Sequence, residues 1–264
     1  MTPRPVALIT GASAGLGAEF ARALAAQGAD LILVARREER LVELAKQLHA
    51  QHGTHTDIVI ADLITDEGVA AVKARILATP NLHWLVNSAG FGVKGYFHRG
   101  PIDDLHRMTR LHVLTPLHLT HAALAGMVAR DAGAIINVGS VVSFVMAAGS
   151  VGYGASKAWL HALSEGIYTE LKSRRSKVRV QSLCPGYTVT EFHDVLGVDR
   201  SLVPKSLWLD ASFVVRESLR ALERNRLLVV PGWRYRLIVA AMRFLPRPLR
   251  IIVAQRVGQR TRRV

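Results

Sequence analysis

Short apolar runs alternate with longer amphipathic stretches along the first 230 residues of this 264-residue chain, and this alternation limits its possible folds. Most of the runs are rich in Val, Ile and Leu, which is typical of strands covered on both faces. Strands that alternate with helices form a parallel sheet, because parallel strands need crossover connections. The sequence therefore predicts a single α/β domain, with a doubly wound parallel sheet of about seven strands and helices on both faces. We expect strands at residues 6–10, 31–35, 57–61, 84–87, 134–139, 178–183 and 227–230, and helices at 15–27, 38–51, 66–78, 102–130, 153–173 and 211–224.

The composition excludes a disordered chain, since 50% of the residues are hydrophobic. Cys184 is the only cysteine, and its place in an apolar run predicts an inert, buried thiol. A cytoplasmic location is expected, because a reducing compartment fits this cysteine usage and the first apolar run is too short for a secretory signal. The candidate for a membrane span, residues 237–254, contains three arginines and two prolines, so we expect no spanning helix.

The net charge of +14 lies entirely in the C-terminal third of the chain. Residues 1–171 carry 14 basic and 14 acidic side chains, whereas residues 172–264 carry 20 basic and 6 acidic ones. A solvated basic surface explains this bias, and so does contact with an anionic membrane or substrate. Nucleic acid is disfavoured as a partner, because the tail contains no recognisable binding motif.

The chain divides at Pro231-Gly232 into a predicted domain of residues 1–232 and a basic helical extension of residues 233–264. The extension holds nine arginines and no acidic residue, and we expect it to be interrupted at Pro246 and Pro248. Its mixture of aliphatic and arginine side chains predicts a peripheral contact with an anionic membrane. Residues 187–209 have little periodicity, which predicts a loop over the site.

A glycine-rich segment, Thr10-Gly-Ala-Ser-Ala-Gly-Leu-Gly17, follows the first predicted strand and opens the first helix. Glycine lets the backbone turn tightly and approach a pyrophosphate, and the N-terminus of a helix favours an anion. The strand–loop–helix context therefore predicts a dinucleotide site.

The residues after the second and third strands bear on which dinucleotide binds. A carboxylate after the second strand would bind the 2′-hydroxyl of NAD, but Ala35-Arg36 offers none, and Arg36 can pair with a 2′-phosphate. We therefore expect NADP(H) in preference to NAD(H). Arg37 is assigned no role, because a solvated helix start explains it equally well. Asp62-Leu63 ends the third strand, where the carboxylate could contact an adenine amino group or only stabilise a turn.

Tyr153 and Lys157 lie four residues apart on a predicted helix and share one face, with Ser140 thirteen residues before Tyr153. An ammonium group beside a phenol favours the phenolate, so Lys157 is expected to lower the pKa of Tyr153 toward neutrality. This makes Tyr153 a candidate proton donor or acceptor.

These motifs, with Asn87-Ser-Ala-Gly90 and Pro185-Gly-Tyr-Thr-Val-Thr190, resemble the short-chain dehydrogenase/reductase family over about residues 5–232. The resemblance implies a Rossmann-type fold and hydride transfer between a nicotinamide and an alcohol or carbonyl. It implies that Ser140 orients the substrate oxygen, that Tyr153 gives or takes the proton, and that Lys157 lowers the tyrosine pKa and binds the nicotinamide ribose. It also implies cofactor contacts from Gly11, Ser13, Gly15, Leu16 and Gly17 at the pyrophosphate, Asn87, Ala89 and Gly90 at the adenosine and ribose, and Pro185, Gly186, Thr188 and Thr190 at the nicotinamide.

One position departs from the family pattern. Many relatives have an asparagine in the long helix before the fifth strand, where it supports a proton-relay water, and here His112 stands in that stretch. Histidine can also hold a water or relay a proton, so His112 is a further catalytic candidate. The substitution is also compatible with altered activity, and a different residue of the helix could be the true counterpart.

The expected protein is an NADP(H)-dependent carbonyl reductase that acts on an apolar ketone or secondary alcohol, such as a lipid, acyl or steroid-like compound. The residues that flank the catalytic positions carry little charge, which favours such a substrate. A nucleotide-sensing protein with weak catalysis is the alternative, and by resemblance we expect a homodimer or homotetramer. No metal site is expected, because His118 and His121 lack further ligands. Ser140 lies outside a Gly-x-Ser-x-Gly hydrolase motif.

Overall fold

A seven-stranded parallel sheet forms the centre of the computed structural model. The structure describes residues 4–146, 148–192, 196–197, 201 and 203–260, and for residues 256–260 it describes only the backbone. The strand order is β3-β2-β1-β4-β5-β6-β9, which is the doubly wound arrangement that the alternation predicts. The sheet strands are β1 (Val6–Thr10), β2 (Asp30–Ala35), β3 (Thr56–Ile60), β4 (Leu82–Asn87), β5 (Ala134–Val138), β6 (Arg179–Leu183) and β9 (Leu228–Val229).

Helices cover both faces of the sheet and bury a separate apolar cluster on each. One cluster includes Phe20 and Leu24, and the other includes Val72 and Leu119. Because both faces are covered, most positions in the strands are apolar, and the predicted fold class is confirmed. The helices are α1 (Gly15–Ala26), α2 (Glu38–His52), α3 (Asp66–Leu77), α4 (Ile102–Thr109), α5 (Thr115–Ala129), α6 (Val151–Ser173), α7 (Ala211–Glu223), α8 (Trp233–Phe244) and α9 (Arg247–Arg260).

The helix predicted over residues 102–130 is continuous but irregular, because a π-helical turn at Arg110–Leu114 joins α4 to α5. Pro116 has no N–H to donate to the carbonyl of His112 four residues earlier, so the α-helical bond is missing there. The Thr115 hydroxyl donates to the carbonyls of Arg110 and Leu63 and holds the turn in place.

The expectation of no spanning helix rested on residues 237–254 and did not consider Ile102–Ala129. This helical stretch meets the requirements of length and hydropathy. Its apolar face packs on the sheet, where Leu119 and Met127 are fully buried, so it serves as a core helix of the fold. Length and composition alone are weak grounds for a membrane span.

The predicted loop over residues 187–209 contains two short strands, β7 (Thr188–Val189) and β8 (Leu209–Asp210), which pair in parallel as a separate sheet. Residues 193–195, 198–200 and 202 of this loop lie outside the described residues, as do 261–264 of the extension. Within the extension, the helix is broken at Pro246, whereas Pro248 lies in the first turn of α9, where proline is tolerated.

Candidate active site

The carboxyl ends of parallel strands β1, β4, β5 and β6 meet at one edge of the sheet and bring the predicted site residues together. The glycine-rich loop follows β1, Asn87 ends β4, and Ser140 follows β5 by two residues. Helix α6 then carries Tyr153 and Lys157 back to the same edge. The site therefore lies where ligands bind in open α/β sheets.

The glycine-rich loop requires glycine at three positions. Gly11 and Gly15 have φ angles of +68° and +56°, in the left-handed region that favours glycine. A Cβ on Gly17 would lie 2.3 Å from the carbonyl oxygen of Gly11, so no side chain fits there. The loop thus brings its backbone close to any ligand at the N-terminus of α1.

Arg36 and Asp62 lie together beyond the ends of β2 and β3. A guanidinium nitrogen of Arg36 is 3.6 Å from a carboxylate oxygen of Asp62, and both side chains are exposed. The other Asp62 oxygen accepts a hydrogen bond from the backbone N–H of Ile64, and the Asp62 carbonyl accepts one from the Thr65 hydroxyl. Asp62 therefore does shape the turn before α3, which was one of its two predicted roles. The Leu63 side chain is buried below it.

Arg37, which the sequence left without a role, reaches into the glycine-rich loop. Its Nε and one Nη each donate to the hydroxyl of Ser13, at 3.2 and 3.1 Å. The other Nη pairs with Glu191 at 3.1 Å, and Arg40 of α2 pairs with the same carboxylate. Glu191 thus links the loop after β7 to α2 across the glycine loop, and these contacts lower the pKa of its carboxyl. Arg37 is therefore a second cation, besides Arg36, beside the glycine-rich loop.

Asn87 and Thr10 organise the centre of the site below the glycine-rich loop. The Thr10 hydroxyl accepts hydrogen bonds from the backbone N–H groups of Ser88 and Ala89. The Asn87 amide nitrogen donates to Asn137 and Thr120, whereas its Oδ1 is buried without a hydrogen-bond partner among the described residues. This oxygen is an acceptor that a ligand or water can use.

A cavity of about 10 Å³ lies beside this oxygen, bordered also by His112 and Lys157. A cavity of this size holds about one water molecule. The cavity is therefore a place where a water could connect Asn87 and Lys157.

The Ser140 hydroxyl lies beside Tyr153 and acts to lower the pKa of its phenol. Ser140 is buried, with a relative exposure of 9%, and its hydroxyl also accepts from the backbone N–H of Val142 at 3.3 Å. The thirteen-residue spacing read from the sequence therefore brings these two side chains to the same part of the site.

The predicted lowering of the Tyr153 pKa is wrong. Burial raises the pKa of Tyr153 to about 12, and this exceeds the lowering effect of the Ser140 hydrogen bond. The Lys157 ammonium lies 5.8 Å from the centroid of the Tyr153 ring and donates to the Val138 carbonyl at 2.9 Å. Burial also lowers the pKa of Lys157 to about 8. The same burial therefore disfavours the charged ammonium of Lys157, which was expected to favour the phenolate.

His112 is buried behind Tyr153, with the two ring centroids 5.7 Å apart. Its Nε2 accepts from the backbone N–H of Phe91 at 3.2 Å, which leaves Nδ1 as the protonated nitrogen of the neutral ring. Nδ1 then donates to the Ser156 hydroxyl at 3.0 Å, and that hydroxyl donates to the Tyr153 carbonyl at 2.8 Å. Both ring nitrogens are thus engaged by the chain itself. Gly90 is close enough that a Cβ there would lie 2.8 Å from Nε2.

Protonation of His112 would break this arrangement, which makes the stability of the protein pH-dependent. Burial and the nearby Lys157 hold the pKa of His112 well below 6.5. Below about pH 6.5 the His112 ring therefore binds a proton in the unfolded chain but not in the folded one. The free energy of unfolding consequently falls as the pH drops. We expect His112→Asn to reduce this fall by up to about 1.4 kcal/mol per pH unit, as measured by urea unfolding between about pH 7 and pH 5. The exposed His118→Asn is the control, and an unchanged slope in His112→Asn would contradict the burial of a neutral ring.

The loop after β6 is held by Tyr235 of α8, a contact that the sequence did not predict. A Cβ on Gly186 would lie 2.0 Å from the Tyr235 ring, so Gly186 is required for this packing. The Tyr235 hydroxyl accepts from the Tyr187 N–H at 3.0 Å and donates to the Leu207 carbonyl at 2.7 Å. The extension therefore supports the loop that carries Pro185, Gly186, Thr188 and Thr190.

Cys184 precedes this loop and is fully buried, as predicted. Burial raises the pKa of its thiol, which keeps it protonated and unreactive.

The comparisons with known proteins agree with this geometry. A family model for short-chain dehydrogenases matches residues 5–200. An uncharacterized oxidoreductase of Staphylococcus saprophyticus is 31% identical over 215 residues, which cover 80% of this chain and 91% of that protein. The chain therefore belongs to the short-chain dehydrogenase/reductase family.

Two solved structures share the whole fold. A short-chain dehydrogenase from Sphingobium yanoikuyae in complex with NADPH superposes with a TM-score of 0.82 at 32% identity, covering 92% of this chain and 97% of that one. A bulky-bulky ketone specific alcohol dehydrogenase from Comamonas testosteroni gives 0.80 at 30% identity, covering 93% and 96%. Family and fold together define an oxidoreductase that uses a nicotinamide cofactor.

Proposed function

We propose that this protein is an NADP(H)-dependent reductase of apolar ketones, and that Tyr153 is its proton donor. The convergence of Ser140, Tyr153 and Lys157 at one edge of the sheet is the observation that carries this proposal. In the reverse direction the same residues would oxidise a secondary alcohol. The test is NADPH oxidation with a panel of apolar ketones, and turnover that is unchanged in Tyr153→Phe would overturn the role of the tyrosine.

The residues present fit a nicotinamide dinucleotide. The glycine-rich loop forms a cradle that only backbone can line, because Gly11 and Gly15 have positive φ angles and Gly17 has no space for a Cβ. Asn87 Oδ1 offers a buried acceptor toward the same region. When bound, the cofactor supplies or accepts the hydride, whereas the protein supplies the proton and the geometry.

Ser140 and Tyr153 then act on the substrate oxygen. A phenol with a pKa of about 12 is protonated near neutral pH, so Tyr153 is ready to donate its O–H proton to a developing alkoxide. The Ser140 hydroxyl is positioned to donate a second hydrogen bond and to fix the carbonyl. Lys157 would hold the ribose and favour the phenolate that remains, while His112 positions Tyr153 through Ser156.

A preference for the phosphorylated cofactor is supported by Arg36 and Arg37, which follow the end of β2 near the glycine-rich loop. Ala35, the last residue of β2, offers no carboxylate that would repel a 2′-phosphate. We expect Arg36→Gln with Arg37→Gln to weaken NADPH binding at least about tenfold, because charge-assisted hydrogen bonds to the 2′-phosphate are lost. NADH binding should change by no more than about threefold, because NADH lacks that phosphate. Fluorescence titration with both cofactors measures the ratio, and Lys46→Gln on α2 with Lys73→Gln on α3 is the charge-matched control. Equal losses for the two cofactors would contradict the assignment.

An apolar substrate is supported by the side chains around Tyr153. The Phe192 ring lies 5.9 Å from the Tyr153 ring, measured between centroids, and a Cβ on Gly92 would touch Phe192 and Leu196. Met146 borders α6 close to Gly154 and is 49% exposed. The alcohol dehydrogenase from Comamonas testosteroni is specific for bulky ketones, which favours the same substrate class here.

A weakly catalytic NADP(H) sensor is the second candidate, and it rests on His112. Tight NADPH binding without turnover on any ketone would support it, provided that His112→Asn then restores activity. Because Ser140, Tyr153 and Lys157 are all in place, we favour the enzyme.

We also propose a homodimer or homotetramer. The exposed apolar residues Ile102, Leu114, Leu117 and Val151 on α4 to α6 support it. Sedimentation velocity measures the mass, and a monomer at micromolar concentration would contradict it.

A further inference from the structure

Helix α8 has two apolar faces, although only one of them packs against the protein. Trp233, Leu237 and Phe244 expose 60%, 61% and 89% of their surface. Separations of four and seven residues place these three on one stripe of the helix. The opposite stripe packs inward and consists of the buried residues Tyr235, Val239 and Met242.

The apolar surface continues on α9. Leu249, Ile251, Ile252 and Val253 are all at least 38% exposed, so α9 is not packed on the body of the protein. A helix of 14 residues is marginally stable in water without tertiary contacts. Four large aliphatic side chains therefore lie on a helix that would gain stability from a covering surface.

A cleft of about 690 Å³ lies beside the outward stripe, between α7, β9 and α8. Its floor is apolar and includes Leu228, Val230 and Ala240. Its walls carry five arginines, which are Arg220, Arg224, Arg226, Arg236 and Arg243.

The cleft has a large surplus of positive charge. Glu217 is the only acidic residue that lines it, and it pairs with Arg236 at 3.0 Å. In the part of the chain that the structure describes, Arg220, Arg224 and Arg226 have no carboxylate within ion-pairing distance. Three guanidinium groups are thus available to an anion.

The cleft and the stripe adjoin each other at Phe244, which lines the cleft and is also the most exposed residue of the stripe. We call the stripe of α8 together with the arginine-lined cleft the α8 surface. An anion bound in the cleft would therefore have apolar side chains next to it. A phospholipid combines these two features, since its phosphate is joined to acyl chains.

We propose that the α8 surface docks on a membrane of anionic phospholipids, with the stripe in the interface and the cleft holding a lipid phosphate. Trp233 and Phe244 suit the interface, where aromatic side chains accumulate. Charge complementarity selects this occupant, because the extension from residue 233 onward contains no acidic residue. A second copy of the chain would bring a second set of arginines against the first.

The test is sedimentation of the full-length protein with vesicles of phosphatidylglycerol or of phosphatidylcholine. We expect binding to phosphatidylglycerol at low salt, weak binding to phosphatidylcholine, and release at high salt. Trp233→Ser with Phe244→Ser should weaken the partition at least about tenfold. Arg224→Gln with Arg226→Gln should do the same through lost charge.

The matched control removes two cations from the other edge of the sheet. Lys46→Gln on α2 with Lys73→Gln on α3 lowers the charge equally, and we expect partition to change by no more than about twofold. Unaltered thermal unfolding, followed by circular dichroism, establishes that each variant is folded.

Equal sedimentation with both lipids overturns the proposal, and so does an equal loss in the lysine control. The proposal is also wrong if the protein binds soluble glycerol phosphate but no vesicle. It is wrong again if the wild type does not bind vesicles and Trp233→Ser with Phe244→Ser dissociates an oligomer. In that case a second copy of the chain covers the α8 surface.

Discussion

Replacing Tyr153 by phenylalanine is expected to lower kcat for ketone reduction by about 10²- to 10⁴-fold, which is the usual contribution of a general acid. The phenyl ring keeps the packing against His112 and Phe192, so the loss isolates the hydroxyl. NADPH binding should change by no more than about threefold, since the cradle of backbone and arginines remains intact. Steady-state NADPH oxidation and fluorescence titration measure the two quantities separately.

The matched control for this substitution is Tyr168→Phe. Tyr168 lies on the same helix, and its hydroxyl donates to the carbonyl of Asn225, at 3.4 Å. Its kcat should equal that of the wild type. Similar rates for Tyr153→Phe and Tyr168→Phe would show that another group donates the proton.

The second large effect is expected for Gly17→Ala in the glycine-rich loop. The added Cβ would lie 2.3 Å from the Gly11 carbonyl oxygen and 2.7 Å from its carbonyl carbon. Both atoms are backbone and cannot rotate away, so α1 and the loop must separate at a cost of about 3 kcal/mol. We expect NADPH affinity to fall about a hundredfold and the free energy of unfolding to decrease, as measured by titration and urea unfolding.

Gly166→Ala on α6 is the control for the loop. Nothing lies within 4 Å of a Cβ there, and the backbone is helical. The substitution should therefore stabilise the protein by up to about 1 kcal/mol and leave NADPH binding unchanged. If Gly17→Ala binds NADPH as well as Gly166→Ala does, the loop is not the pyrophosphate site.

The strands and most helices could be predicted from the sequence, because burial on both faces leaves an unbroken apolar pattern. All seven predicted strands of the main sheet are present, with ends that differ by no more than two residues. The contact of Ser140 with Tyr153 could also be predicted, since the motif fixes which side chains reach the same edge. In both cases a local pattern determines the structure.

The features that escaped prediction depend on groups distant in sequence. The Tyr153 pKa is raised because the phenol is desolvated by burial, which no spacing reveals. Arg37 contacts Ser13 across 24 positions, and Tyr235 packs on Gly186 from α8, which lies beyond α7 and β9 in the sequence. The π-helical turn at His112 could have been suspected from Pro116 alone, since a proline inside a predicted helix removes one backbone bond.

The most direct test of the proposed function is the rate of NADPH oxidation by the purified protein across ketones of increasing apolar size, repeated with NADH. We predict that kcat/KM rises with the apolar size of the ketone and is at least about tenfold higher with NADPH. Turnover restricted to small polar carbonyls, or equal rates with the two cofactors, would contradict the proposal.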